Sequence, residues 1–223
     1  MQFRHEVKHE ISQFDLLILR QRLRVVLKPD SHAMNGQYKV RSLYFDNLAD
    51  KVLLEKLNGI NKREKYRIRL YNNDPSVIYL ERKYKRGSLS YKEISALSPE
   101  QAQSIADGDV AWLADSTDEL ISGFYTCILR EGLKAKVIVE FTREPFVFSP
   151  GNARVTLDYQ IRTGLRCTDF LNPECVTVPI KDSPGILEVK WDNYLPDIIK
   201  DAIQLEGRRS MAFSKYAASR MYE

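Results

Sequence analysis

Across 223 residues, 34 Lys and Arg stand against 30 Asp and Glu for a formal net charge of +4, with a hydrophobic fraction of 43% and only 10 Gly and 9 Pro. That balance excludes a disordered tail and a uniformly basic arm, and it suits one large domain over residues 1–223 with a substantial core. No run of about eighteen apolar residues occurs, which excludes a membrane-spanning helix in this sequence.

Residues 3–11 read as a strand, with Arg4, Glu6 and Lys8 on one face and His5 and His9 on the other, where they are expected as outer-surface residues and not metal ligands. Ser12 is expected to cap an amphipathic helix over about 14–27, its apolar face formed by Leu16, Leu17, Leu19, Leu23 and Leu27 and its end set by Pro29. A strand over 37–46 leads to a short helix over about 47–57 that stops at Asn58-Gly59. Residues 65–71 and 79–85 alternate charge with aliphatic or aromatic side chains across the turn-forming 72–76, so they read as an antiparallel hairpin. A strand follows near 89–94. Ser98-Pro99-Glu100-Gln101 has the form of a capped helix start, with helices to about Gly132 broken at 107–109. Strands over 135–143, 153–160 and 186–191 come next, with 165–183 loop-like, and helices over about 196–204 and 213–222, separated by 206–210, close the chain.

The alternation carries the functional argument. Lys65, Arg67 and Arg69 share one wholly cationic face, and Glu81, Lys83 and Lys85 share another. Arg4-x-Glu6-x-Lys8, Lys92, Arg154-x-Thr156-x-Asp158 and Glu188-x-Lys190-x-Asp192 repeat the habit. One such strand is usually a solvated face; six in one chain point to an antiparallel β-barrel of about eight strands with a polar lumen and helices packed outside, an α+β class. A lumen crowded with cations requires a polyanion. Tyr66, Tyr71, Tyr79, Tyr84 and Tyr91 are read as facing away from Arg67 and Arg69, which argues against nucleic acid as a partner, since base stacking needs aromatic rings beside the cations. Cys127, Cys167 and Cys175 follow no metal-ligand spacing and read as free thiols in a reducing compartment; with a charged start and no secretory h-region, a cytoplasmic location is expected.

Taken in order, Arg4-x-Glu6-x-Lys8, Ser42-Leu-Tyr-Phe-Asp46, Lys65-Tyr-Arg-Ile-Arg69, Glu81-x-Lys83, Thr142-Arg143, Arg154-x-Thr-Leu-Asp158, Leu187-Glu-Val-Lys190 and Phe213-Ser-Lys-Tyr216 resemble the VTC domain, the polyphosphate polymerase module within the triphosphate tunnel metalloenzyme superfamily. The resemblance covers essentially the whole chain. It implies a tunnel that holds ATP or another triphosphate and adds its terminal phosphate to polyphosphate with a divalent metal, Mn²⁺ or Mg²⁺. By motif it implies a basic lining of Lys8, Arg67, Arg69, Lys83, Lys92, Arg143, Arg154, Lys190 and Lys215. Among these, Arg67, Arg69, Lys83, Arg154 and Lys215 are the expected triphosphate contacts. Glu188 is the expected metal ligand, with Glu6 and Glu81 as second choices. Triphosphatase members open with Glu-x-Glu-x-Lys, whereas Arg4 stands at the first acid here, which matches the polymerase branch better. The inositol-phosphate sensing domain and membrane helices of eukaryotic members have no counterpart in this sequence, so their regulation and translocation are not expected of it; a membrane-bound partner is left open.

Phosphoryl transfer depends mostly on positioning and on neutralising charge, and Arg supplies planar forks for phosphate while Lys supplies point charges. An attacking phosphate is already ionised at neutral pH and needs no general base, unlike water in a hydrolase. A triphosphatase and a non-catalytic polyphosphate or nucleotide binder are the alternatives.

Overall fold

The alternating segments close on themselves. The computed structural model describes residues 3–180, 185–205, 210 and 212–221. In it β1 (Arg4–Ile11), β3 (Tyr38–Asp46), β4 (Lys62–Tyr71), β5 (Asp74–Arg86), β6 (Leu89–Leu97), β7 (Lys134–Phe148), β8 (Ala153–Thr163) and β10 (Gly185–Trp191) are antiparallel neighbours in the order β7-β3-β4-β5-β6-β1-β10-β8, and β8 pairs back onto β7. This is the eight-strand, tunnel-like ring expected from the alternation. Two-residue strands, β2 (Lys28–Pro29) on β7 and β9 (Val178–Pro179) on β8, extend it. The narrowest seam is β1 with β6, joined at Arg4↔Ser90 and His5↔Leu89.

Helices cover the ring on two sides because each outward strand face is apolar. Capped by a Ser12–Asp15 box, α1 (Gln13–Val26) packs with α5 (Asp197–Ile203) over outward residues of β8 and β10, including Val155, Leu157, Leu187 and Val189. The helix stripe is Leu16, Leu19 and Leu23, joined by Leu27 at the cap; Leu17, expected on it, is exposed because it sits about 100° around the helix from Leu16. Over β3 to β6 lie α3 (Pro99–Asp107), with its Ser98–Gln101 box, and α4 (Glu119–Glu131), which drives Phe124 between Phe45 and Tyr66. His5 stacks on Trp191 outside the ring, and His9 bridges to Ser210.

Several boundaries differ from expectation, each for a local reason. Both residues of the Asn72-Asn73 turn have positive φ, 52° and 56°, the geometry a two-residue hairpin turn requires, so β5 begins at Asp74 and the turn is shorter than 72–76. The helix expected from 47 starts later, as α2 (Lys51–Leu57), because the buried Asp46 carboxylate accepts from the Val52 and Leu53 N–H groups. Strand β7 runs on to Phe148 because β8 pairs with it throughout. Gln160, where a strand end was expected, has φ 52° and lies in a bulge opposite 140–142; β8 continues and Ile161 turns into the ring, packing with Val137, Val139, Ile186 and Tyr216. The last helix, α6 (Lys215–Arg220), begins at its Ser214 cap; the expected separator at 206–209 and the loop end at 181–183 lie outside the described residues.

Phe124 is fully buried and contacts two aromatic rings. Phe124→Ala is expected to lower unfolding stability by about 3–5 kcal/mol in urea titrations, with the urea m-value unchanged.

Candidate functional site

Register decides which charges meet inside the ring. Lys83 of β5 stands opposite Lys65 of β4 on one side and Lys92 of β6 on the other, and Arg67 stands opposite Glu81. Across β1 and β10, Lys8 faces Glu188 and Glu6 faces Lys190, which in turn faces Arg154 of β8; Arg143 of β7 faces Asp158. Closing the ring turns these faces onto one cavity of about 510 Å³. All nine cations named from the sequence line it: Lys8, Arg67, Arg69, Lys83, Lys92, Arg143, Arg154, Lys190 and Lys215. So do Glu6 and Glu188, while Glu81 lies behind the lining with 1% exposure.

Three groups of carboxylates hold the cations in place. Glu81 accepts from Arg67 Nε at 2.7 Å and Lys92 Nζ at 3.2 Å, and Arg69 lies 3.7 Å away. Glu188 lies 2.9 Å from both Lys8 and Lys190, and Glu6 lies 2.7 Å from Lys83 and 3.5 Å from Lys8. Asp158 takes a bidentate Arg143, at 2.6 and 2.7 Å, and Lys215 at 2.6 Å. Burial alone would raise each of these carboxyls, but the adjoining cations win: Glu6, Glu81 and Glu188 fall well below the usual range and Asp158 falls to about 2. Arg154 reaches toward the rim, to Asp30 at 2.9 Å and Tyr38 Oη at 3.0 Å. Arg4 is ion-paired with Asp192 at 2.8 Å, so the position where triphosphatases carry an acid is here a neutralised cation.

The carboxylates do not balance the lumen. Among the described residues, fourteen Lys and Arg side chains line it, against Glu6, Glu64 and Glu188 in the lining, Glu81 and Asp158 behind it, and Asp30 and Asp192 paired with Arg154 and Arg4. The excess appears as proton loss. Burial, together with Lys8 and Lys190, holds Lys83 down to about 7 despite its bond to Glu6, and burial with Arg67 and Lys8 holds Lys65 to about 8. Tyr44 responds in the opposite sense. Burial would raise its phenol, but Arg67, Lys65 and Arg69 pull it down to about 6. Arg67 NH1 donates to its hydroxyl at 2.9 Å and Lys65 Nζ lies 5.0 Å over its ring.

Lys65, Tyr44 and Asp158 belong to the site although no motif assigns them to it. Lys65 shares the face of Arg67 and Arg69, so strand parity carries the signal; Tyr44 and Asp158 lie within the motifs given above, but only distant partners reveal their roles. Tyr71 and Tyr91, read as facing away, both line the cavity, Tyr71 because it shares the parity of Arg67 and Arg69. Ser214, one of two serines near the basic C-terminal segment, caps α6 by accepting from Ala217 N–H. That helix is anchored by Tyr216, which donates to Asp46 at 2.6 Å, and by Arg220, which donates to Asp50 at 2.8 Å; Lys215 is thereby fixed inside.

Among the described residues, no three His, Cys, Asp or Glu side chains form a set that could hold a metal ion unaided. Glu188 with Glu6 fits the other common arrangement, one or two carboxylates completed by phosphate oxygens and water. No helix among the described residues is long and apolar enough to cross a membrane.

Compared with known proteins, residues 3–222 match the family model of the VTC domain. A putative adenylyl cyclase from Hippeastrum, described as having a dominant triphosphatase activity, is similar in fold: TM-score 0.53 and 14% identity over 99% of this chain and 96% of that one. A putative adenylate cyclase from Bacillus halodurans has a TM-score of 0.51 and 13% identity over 85% of this chain and 82% of that one. No curated protein matches in sequence.

The lysine and tyrosine shifts give a pH dependence with a definite sign. Lys83, Lys65 and Tyr44 all bind fewer protons in the folded chain than in the unfolded one above neutrality, so stability rises with pH there. The ligand-free protein is therefore expected to gain in Tm from about pH 7 to about pH 9 at constant ionic strength, and saturating tripolyphosphate, by restoring the lysine charges, is expected to flatten that rise. A ligand-free Tm that falls over this window contradicts the assignment.

Proposed function

The chain belongs to the VTC domain family, and we propose that it is a metal-dependent polyphosphate polymerase that transfers the terminal phosphate of ATP to a growing polyphosphate chain. The family implies the handling of triphosphates and polyphosphate. The observation that carries the finer reading is the convergence of the basic lining on one enclosed cavity with a surplus of cations. Arg4 at the position of the triphosphatase acid favours transfer over hydrolysis.

Arg67 and Arg69 are the forks that grip successive phosphates; Glu81 and Tyr44 orient the Arg67 guanidinium, Glu81 and Ser42 that of Arg69, and the remaining N–H donors of each serve the ligand. Ser42 Oγ accepts from Arg69 Nε at 3.0 Å and fixes its plane. Lys8, Lys83, Lys92 and Lys190 neutralise the equatorial oxygens as point charges, Lys215 and Arg143 hold a second phosphate group beside Asp158, and Arg154 receives phosphate at the rim. In the transfer a terminal oxygen of the acceptor chain forms a bond to the γ-phosphorus while the bond from that phosphorus to the β–γ bridging oxygen breaks, and ADP leaves with that oxygen. Because the attacking oxygen is already ionised, no residue has to remove a proton. Glu188 and Glu6 would hold the divalent ion, which supplies further neutralisation of phosphate charge when bound.

Incubation with ATP and Mn²⁺ is expected to yield ADP and a ladder of polyphosphate on gels. Orthophosphate as the sole phosphorus product besides ADP would favour a triphosphatase, the activity described for the Hippeastrum protein; tight binding with no turnover would favour a binding module.

Arg67→Ala or Arg69→Ala is expected to weaken tripolyphosphate binding by about 1.5–3 kcal/mol in calorimetry, and Glu188→Gln to reduce turnover more than binding. Unchanged thermal stabilisation by tripolyphosphate in the arginine variants would remove those residues from the site.

A further inference from the structure

Outside the ring, two thiols meet in a segment whose backbone is held independently of them. Cys167 N–H donates to Gly164 O at 2.9 Å and Cys175 N–H to Asn172 O at 3.2 Å, and these two turns bring the Cys167 and Cys175 sulfurs to 2.8 Å, closer than sulfur atoms approach in ordinary van der Waals contact. Between them Phe170 is fully buried in the core shared with Leu43, Phe45 and α4. The Arg41 guanidinium, itself paired with Glu140, donates to the carbonyls of Phe170 at 3.2 Å, Asn172 at 2.5 Å and Pro173 at 3.3 Å. Thr177 donates to Glu140 at 2.9 Å and ties down the far end.

We propose that Cys167 and Cys175 are a reversible disulfide site that closes this loop over Arg41. The co-reactant is a small-molecule disulfide. The Cys167 thiolate attacks one of its sulfurs, forming a mixed disulfide and releasing one thiol. The Cys175 thiolate then attacks the Cys167 sulfur, forming the intramolecular bond and releasing the second thiol, so two cysteine protons pass to the two released thiolates. Cys175 is the resolving partner because burial and the Cys167 sulfur push its thiol up to about 12. Cys127 is uninvolved: it is buried on α4, 3.7 Å from Tyr66 Oη.

The test uses the folded full chain with oxidised glutathione. Thiols titrated after subsequent unfolding in denaturant are expected to fall from three to one, with a mass loss of two hydrogens, no retained glutathione and no cross-linked dimer. The Tm is expected to rise by a few degrees and to return on adding dithiothreitol. Cys175→Ser is expected to retain one glutathione on Cys167. Three persistent thiols, a stable glutathione adduct on the unsubstituted protein, or oxidation that leaves the Tm unchanged or lowers it would overturn the proposal.

Discussion

Repulsion among like charges in an enclosed ring is the constraint to which the rest of this structure answers. Two unit charges 4 Å apart interact by about 4 kcal/mol at the effective dielectric of a protein surface region, and fourteen cations among the described residues line one cavity. The fold contains that repulsion in two ways. Buried carboxylates are shared, so that Glu81 serves Arg67, Arg69 and Lys92 while Glu6 and Glu188 together serve Lys8, Lys83 and Lys190. The charges that remain are held in position by a ring without open edges and by helical layers whose apolar burial has no dependence on the lumen.

Sharing has a functional side. A carboxylate that fully neutralised each cation would leave nothing to attract a phosphate, and a lumen without carboxylates would let the guanidinium groups splay apart. Glu81 sits behind Arg67 and Arg69 and, with Tyr44 and Ser42, orients their planes along the cavity wall. The same logic places Asp158 behind Arg143 and Lys215, and the Tyr216–Asp46 and Arg220–Asp50 contacts keep α6 where that Lys215 contact can form. The lumen is thus preorganised before any ligand arrives, its cations already fixed where the charge of a triphosphate would lie.

Much of this was legible because strand parity is a strict rule. The alternation of Lys65, Arg67 and Arg69 with Tyr66, Ile68 and Leu70 fixed which side chains point inward, and the Ser12 cap and the Ser98 capping box stand as read. What was not legible depended on contacts between residues distant in sequence or on one unusual dihedral angle. The bulge at Gln160 follows from a positive φ that no spacing signals, yet it alone sends Ile161 inward to the apolar side of the ring. Asp46 delays α2 and receives Tyr216 across 170 positions, which neither segment announces. The Arg41 clamp on 170–173 was invisible within a stretch read only as loop.

The low phenol of Tyr44 has a consequence of its own. Burial would hold the proton on this ring, yet Arg67, Lys65 and Arg69 draw it down to about 6, so its proton depends on the cations beside it. Phenolate and phenol absorb ultraviolet light differently, and an arriving anion that draws on the same two cations would return the proton to the ring. A tyrosine placed in the wall in this way ties the ultraviolet absorbance of the protein to the charge around Arg67 and Lys65.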